Sequence, residues 1–170
     1  MVNYSRRNLL SGSFCNVEQP QRLPWLKKPA AFTDNCTQCG LCIENCPTNV
    51  IEQGSGGFPT IDFSSGECTF CYQCAEVCPE PLFMPEQSTP WNVKAVIDQH
   101  CLAVQNIECR SCNDNCEPLA IQFTLQRSHA AIPAINTEQC TGCGACVNVC
   151  PTSSIRIKVT PKDGGAYVDM

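Results

Sequence analysis

Sixteen of the seventeen cysteines in this 170-residue chain fall into four repeats of nearly one spacing, and that repetition restricts the fold more than any other property of the sequence. The units are Cys36-x2-Cys39-x2-Cys42-x3-Cys46-Pro47, Cys68-x2-Cys71-x2-Cys74-x3-Cys78-Pro79, Cys101-x7-Cys109-x2-Cys112-x3-Cys116-Glu117-Pro118 and Cys140-x2-Cys143-x2-Cys146-x3-Cys150-Pro151. Cys15 stands outside them. Cysteine at this density has three physical readings: a disulfide framework, zinc sites or iron-sulfur clusters. The odd count and the regular spacing speak against disulfides. Zinc knuckles separate their ligand pairs by longer loops, whereas here three cysteines follow one another closely and a fourth precedes a proline. Iron-sulfur clusters are the expected cofactor.

The chemistry explains the spacing. Cysteines at i, i+3 and i+6 wrap the backbone around one 4Fe-4S cluster and point amide hydrogens at its sulfurs. The fourth thiolate comes from elsewhere, and in the bacterial two-cluster arrangement the cysteine before proline ligates the partner cluster. Pairing neighbouring units on that rule joins Cys36, Cys39 and Cys42 with Cys78, and Cys68, Cys71 and Cys74 with Cys46. The second half pairs Cys101, Cys109 and Cys112 with Cys150, and Cys140, Cys143 and Cys146 with Cys116. Four 4Fe-4S clusters are therefore expected. Gly40, Gly142 and Gly144 are placed to take the positive φ that close wrapping requires. The stretched third unit leaves a choice between Cys101 and Cys15 as its first ligand. Ile61-Asp62, Ile97-Asp98 and Ile135-Asn136 precede Cys68, Cys101 and Cys140 equivalently, which favours Cys101.

Apolar residues are thin for this length, while proline (13) and glycine (10) are frequent, so cluster binding and folding should be coupled. The expected class is α+β: two tandem ferredoxin-like modules of two clusters each, with short strands and short helices. Alternating apolar residues predict strands at Phe58 to Phe63, Trp91 to Ile97, Ile121 to Leu125, Ala131 to Ile135 and Ile155 to Val159, forming a small sheet. Before the first unit only the weaker Ala30-Ala31-Phe32 is available. A helical turn or two is expected to start at the proline that closes each unit. The boundaries expected are a basic arm over residues 1–31, modules over 32–88 and 89–160, and a tail over 161–170.

Charge separates the arm from the rest. Residues 1–31 sum to +4 and residues 32–170 to −9. With Pro20, Pro24 and Pro29 and no apolar period, the arm is expected to be extended or partly disordered. It opens Ser5-Arg6-Arg7-Asn8-Leu9-Leu10, like a twin-arginine export signal, but no apolar stretch or small-residue cleavage site follows. A cytoplasmic location is expected, with Arg6 and Arg7 as a handle for a protein partner. No run of 18 apolar residues exists to span a membrane. Gly54-Ser55-Gly56-Gly57 departs from nucleotide-binding loops, His100 and His129 lack a nucleophile partner, and no catalytic residues and no nucleic-acid partner are expected. Trp25, Trp91, Phe70 and Tyr72 read as packing residues, the last two able to limit solvent access to a cluster.

The Ser-Arg-Arg-x-x-Leu start, the stretched unit Cys101-x7-Cys109 ending Cys116-Glu117-Pro118, and the segments Gly56-Gly57-Phe58-Pro59 and Glu67-Cys68-Thr69-Phe70-Cys71-Tyr72 resemble the ferredoxin-type proteins of the periplasmic nitrate reductase system. The resemblance covers nearly the whole chain. It implies a cytoplasmic four-cluster protein that meets the precursor of the nitrate reductase catalytic subunit and aids its maturation before export, by electron supply or cluster insertion. Two other functions compete with it. One is an electron-transfer subunit of a multi-component oxidoreductase; the other is an interaction protein whose clusters only fold it.

Overall fold

The computed structural model describes residues 20–160. Arg6, Arg7, Cys15 and the expected tail lie outside the described residues. Helices are single turns: α1 (Phe32–Asn35), α2 (Leu41–Glu44), α3 (Gln73–Glu76), α4 (Ser111–Asp114) and α5 (Ala145–Asn148). The last four carry the third cysteine of each unit: Cys42, Cys74, Cys112 and Cys146. The helical turn thus precedes the proline rather than following it, which corrects the expectation from sequence. A residue before proline is driven out of the helical region, so the turn must end by Cys46, Cys78 or Cys150. After the proline the chain bends through left-handed Asn49, Leu119 and Ser153, and runs on toward a strand.

The strands are β1 (Ile51–Gln53), β2 (Pro59–Ile61), β3 (Val93–Ile97), β4 (Ile121–Gln126), β5 (His129–Ile135) and β6 (Ile155–Val159). They form three antiparallel two-stranded ribbons, β1–β2, β3–β6 and β4–β5, rather than one small sheet. In the second half the outer ribbon aligns Val93 with Val159 and Ile97 with Ile155, so the half begins and ends side by side around the β4–β5 hairpin.

The first half repeats this plan, and its counterpart of β3 is not Ala30-Ala31-Phe32. Pro29–Ala31 is a 3-10 turn running into α1. The matching segment is Trp25 to Lys27: Leu26 bridges Phe83 antiparallel, Met84 N–H donates to Trp25 O (2.7 Å) and Lys27 N–H donates to Leu82 O (2.9 Å). Residues 20–31, expected as part of an extended arm, instead strap the first half. Leu23, Pro24, Trp25 and Leu26 are buried, and Ile61 N–H (2.9 Å) and Thr60 Oγ1 (2.9 Å) both donate to Gln21 O. Arg22 donates to Pro59 O and lies over the Phe32 ring.

One bond recurs three times. Asp62 N–H donates to Val50 O, Asp98 N–H to Ser154 O and Asn136 N–H to Ala120 O, at 2.7–2.9 Å, and all three acceptor residues are almost fully buried. Each bond ties the approach to one unit onto the bend that follows the proline of another. Two apolar cores result, one around Leu23, Phe32, Val50, Ile61 and Phe63, the other around Ala95, Ala120, Ile121 and Ile155. Val147 and Ile157 pack against both, and cysteines belong to both.

Where the halves meet, Gly144 has φ +86°, and a Cβ there would stand 1.9 Å from the Phe63 ring. Gly144→Ala should therefore cost about 1–2 kcal/mol for the left-handed backbone and a further ~1–3 kcal/mol for displacing a packed ring. Denaturant unfolding of the two proteins checks this; an unchanged midpoint would show that the ring moves freely.

Candidate iron-sulfur centres

Three of the four units share a backbone recipe. The residues on either side of the second cysteine are left-handed: Gln38 and Gly40 about Cys39, Phe70 and Tyr72 about Cys71, Gly142 and Gly144 about Cys143. This alternation curls the loop so that its first three thiols face one volume. The glycines at three of these positions were legible in the sequence. Phe70 and Tyr72 were not, because bulky residues rarely hold positive φ. They are fixed by packing: Tyr72 O–H donates to Met84 O (2.6 Å), and its ring meets Trp25 edge-on at 5.1 Å.

Each loop's thiols meet the fourth cysteine of the neighbouring unit. Cys36, Cys39, Cys42 and Cys78 line one pocket of about 380 Å³, with Leu23, Phe32 and Phe83 as apolar wall. Cys46, Cys68, Cys71 and Cys74 line a second of about 350 Å³, walled by Trp25, Ile61 and Tyr72. In the second half the groups that raise the Cys112 thiol after burial are Cys101, Cys109 and Cys150. Those that raise Cys146 after burial are Cys143, Cys140, Cys112 and Cys116.

Burial is the largest cause in every case where a thiol rises. It pushes Cys42, Cys68 and Cys112 up to about 11, and Cys74 and Cys146 up to about 12. Four buried thiolates facing one another repel, so they need positive charge between them to ionise together. Cys46 is the exception: burial opposes ionisation there, yet the Thr48 hydroxyl and backbone N–H groups led by Val50 hold its thiol below the ordinary value. Related bonds occur at Cys116, which accepts from Ala120 N–H, and at Cys150, which accepts from Ser154 N–H, both at 3.3 Å. Amides aimed at cysteine sulfur stabilise the thiolate and tune the potential of a bound cluster.

The donor sets suit a cluster better than a single ion. Among the described residues no three His, Cys, Asp or Glu come close enough to hold one metal ion. Zinc needs four donors within about 2.0–2.3 Å of one centre.

A family model for a 4Fe-4S dicluster domain matches residues 35–81, and one for a 4Fe-4S binding domain matches residues 133–156. Cys101 to Cys116, with the seven-residue spacing, fall outside both segments. The chain is 42% identical over 154 residues to the ferredoxin-type protein NapF of Escherichia coli (strain K12), covering 91% of this chain and 94% of that protein. The chain belongs to the NapF family of ferredoxin-type proteins. The NapF of Haemophilus influenzae is likewise 42% identical, over 90% of this chain and 93% of its own. The ferredoxin-type protein NapG of Escherichia coli (strain K12) is 30% identical over 80% of this chain and 70% of its own. NapF-type chains are iron-sulfur proteins, and 4Fe-4S clusters are the cofactor of the matched domains. Among the described residues no helix is long and apolar enough to cross a membrane.

Three contributors escaped the sequence. The strap sends Trp25 into the wall of the second pocket, and its indole N–H donates to Glu86 O (3.1 Å) and Ser88 O (3.0 Å). No periodicity marks it. The left-handed backbone of Phe70 and Tyr72 is the second; their side chains were expected beside a cluster, and Tyr72 lines the second pocket. The backbone donors to Cys116 and Cys150 are the third, and backbone donors leave no trace in residue type.

Proposed function

We propose that this NapF-type protein holds four 4Fe-4S clusters and acts in the cytoplasm on the precursor of the periplasmic nitrate reductase catalytic subunit, aiding its maturation before export. The ligands are Cys36, Cys39, Cys42 and Cys78; Cys68, Cys71, Cys74 and Cys46; Cys101, Cys109, Cys112 and Cys150; and Cys140, Cys143, Cys146 and Cys116. They sit in two tandem modules, over 32–88 and 89–160, to the first of which the strap is added. The observation that supports this reading is that each of two pockets in the first half is lined by three cysteines of one unit and the fourth cysteine of its neighbour. Cys101 heads its set because Asp98 makes the same backbone bond as Asp62 and Asn136. Bound clusters supply one-electron chemistry. The chain orients the thiols, gives amide hydrogens to sulfur and keeps water from the second set with Trp25 and Tyr72.

Partner recognition rests on the family resemblance and on residues 1–19, in which Arg6-Arg7 beside Leu9-Leu10 combines paired charge with an apolar anchor. Anaerobically isolated protein should contain about sixteen iron atoms, and a stable yield near eight would reject the four-cluster reading. Deleting residues 1–19 should preserve the iron and weaken capture of the precursor, with Arg6→Ala plus Arg7→Ala acting in the same direction. The deletion stops there because Gln21 to Lys27 belong to the fold. Equal capture by full-length and shortened protein, matched for iron, would assign recognition to the cluster body.

A further inference from the structure

Three joints link the four cysteine sets. Helices α2 and α3 pack together, placing the Cys42 set beside the Cys74 set, and α4 packs on α5, placing the Cys112 set beside the Cys146 set. The third joint crosses between the halves. Cys68 N–H donates to Cys143 O at 2.8 Å, so the second and fourth loops touch through their own backbones. Aromatic packing holds this joint. Phe63 lies against Gly144, Trp91 N–H donates to Thr141 O (2.9 Å), and the Trp91 ring meets Phe63 at 6.1 Å and Phe70 at 5.7 Å.

We infer that the four sets stand in single file, in the order first, second, fourth, third, so that the Cys36 and Cys101 sets are the two ends and the Cys68–Cys143 contact carries electrons between the halves. This rests on the four-cluster reading. A chain that merely folded around two separate cluster pairs would need no backbone bond between Cys68 and Cys143. The file makes the outer sets the points of exchange with redox partners and leaves the inner two as relay. Each exchange is one electron per cluster, taken from a reduced viologen that is oxidised by one electron, with no bond broken and no proton moved.

Paramagnetic resonance of the fully reduced protein tests the order without an activity assay. A reduced cluster is paramagnetic, and neighbours split each other's signal. Cys39→Ala removes an end site and should leave about twelve iron atoms, with no uncoupled spin, because the second cluster still has the fourth as neighbour. Cys109→Ala should behave alike at the other end. Cys71→Ala removes an inner site and should release one uncoupled spin from the first set. An uncoupled spin in Cys39→Ala or Cys109→Ala would overturn the file in favour of separate pairs. Should a variant lose more than one cluster, the intact protein decides: multifrequency spectra should show half of the clusters split by two neighbours, and splitting by one neighbour throughout would refute the order. Iron near eight in the intact protein is the distinct failure of the four-cluster reading, and with it there is no file.

Discussion

Trp25→Ala is expected to destabilise the protein by about 3–5 kcal/mol, the range for removing a large buried aromatic ring, and to make the second cysteine set the first to lose iron in air. The ring is 3% exposed, meets Tyr72 and Phe70 edge-on and lines the pocket of Cys46, Cys68, Cys71 and Cys74. Its loss opens a cavity where water reaches that pocket and frees Tyr72 from one of the contacts that hold its left-handed backbone. It also leaves the carbonyls of Glu86 and Ser88 without the indole donor. Trp25→Phe, which restores a ring but no N–H, should fall between the two. Denaturant midpoints give the stability change, and the rate at which visible cluster absorption fades in air gives the exposure. A variant as stable and as air-resistant as the parent would show that the strap rests on the first half without supporting it. The measured loss should stay below the full stability of a small domain, about 5–15 kcal/mol, because Leu23 and Leu26 still anchor the strap on either side.

Legibility followed the chemistry of side chains and failed where backbone geometry decides. The cysteines that line the two pockets of the first half were readable because only cysteine supplies thiolate and their spacing follows the bacterial two-cluster pattern. Strands β3, β4, β5 and β6 were readable from alternation. The helical turns were misplaced because proline favours the first position of a helix, whereas the left-handed Asn49 turns the chain away and delivers Val50 to the Asp62 bond. The strap was missed because its proline and charge outweighed its apolar content: Leu23, Trp25 and Leu26 lie among Arg22, Pro24, Lys27 and Lys28, and no period of 2 or 3.6 fits a segment whose central residue has φ 58°. The joint between the halves escaped because a backbone bond between Cys68 and Cys143 involves no side chain at all.

Removing the iron should unfold this protein outright, and Cys101→Ser should cost one cluster and destabilise the second half alone. Both apolar cores count cysteines among their members: Cys74 is buried in the first, and Cys112, Cys140 and Cys146 in the second. Stripped of metal, the Cys74, Cys112 and Cys146 thiols stay protonated at neutral pH, since burial pushes Cys112 up to about 11 and Cys74 and Cys146 up to about 12. The pockets then collapse around weak donors in place of strong metal bonds, and the helical turns α4 and α5, each only four residues long, are too short to stand alone. Chelation under anaerobic conditions should therefore abolish visible absorption and the far-ultraviolet helix and strand signal together; secondary structure that outlasts the absorption would show that the polypeptide folds without clusters. Cys101→Ser should lower iron by about four atoms and shift the unfolding of the second half, because its set would keep only Cys109, Cys112 and Cys150. Cys15→Ser is the control, expected to leave iron unchanged. The opposite result, with Cys15→Ser losing iron and Cys101→Ser retaining it, would move the missing ligand into the arm and require the arm to fold across the β3–β6 ribbon's half of the molecule.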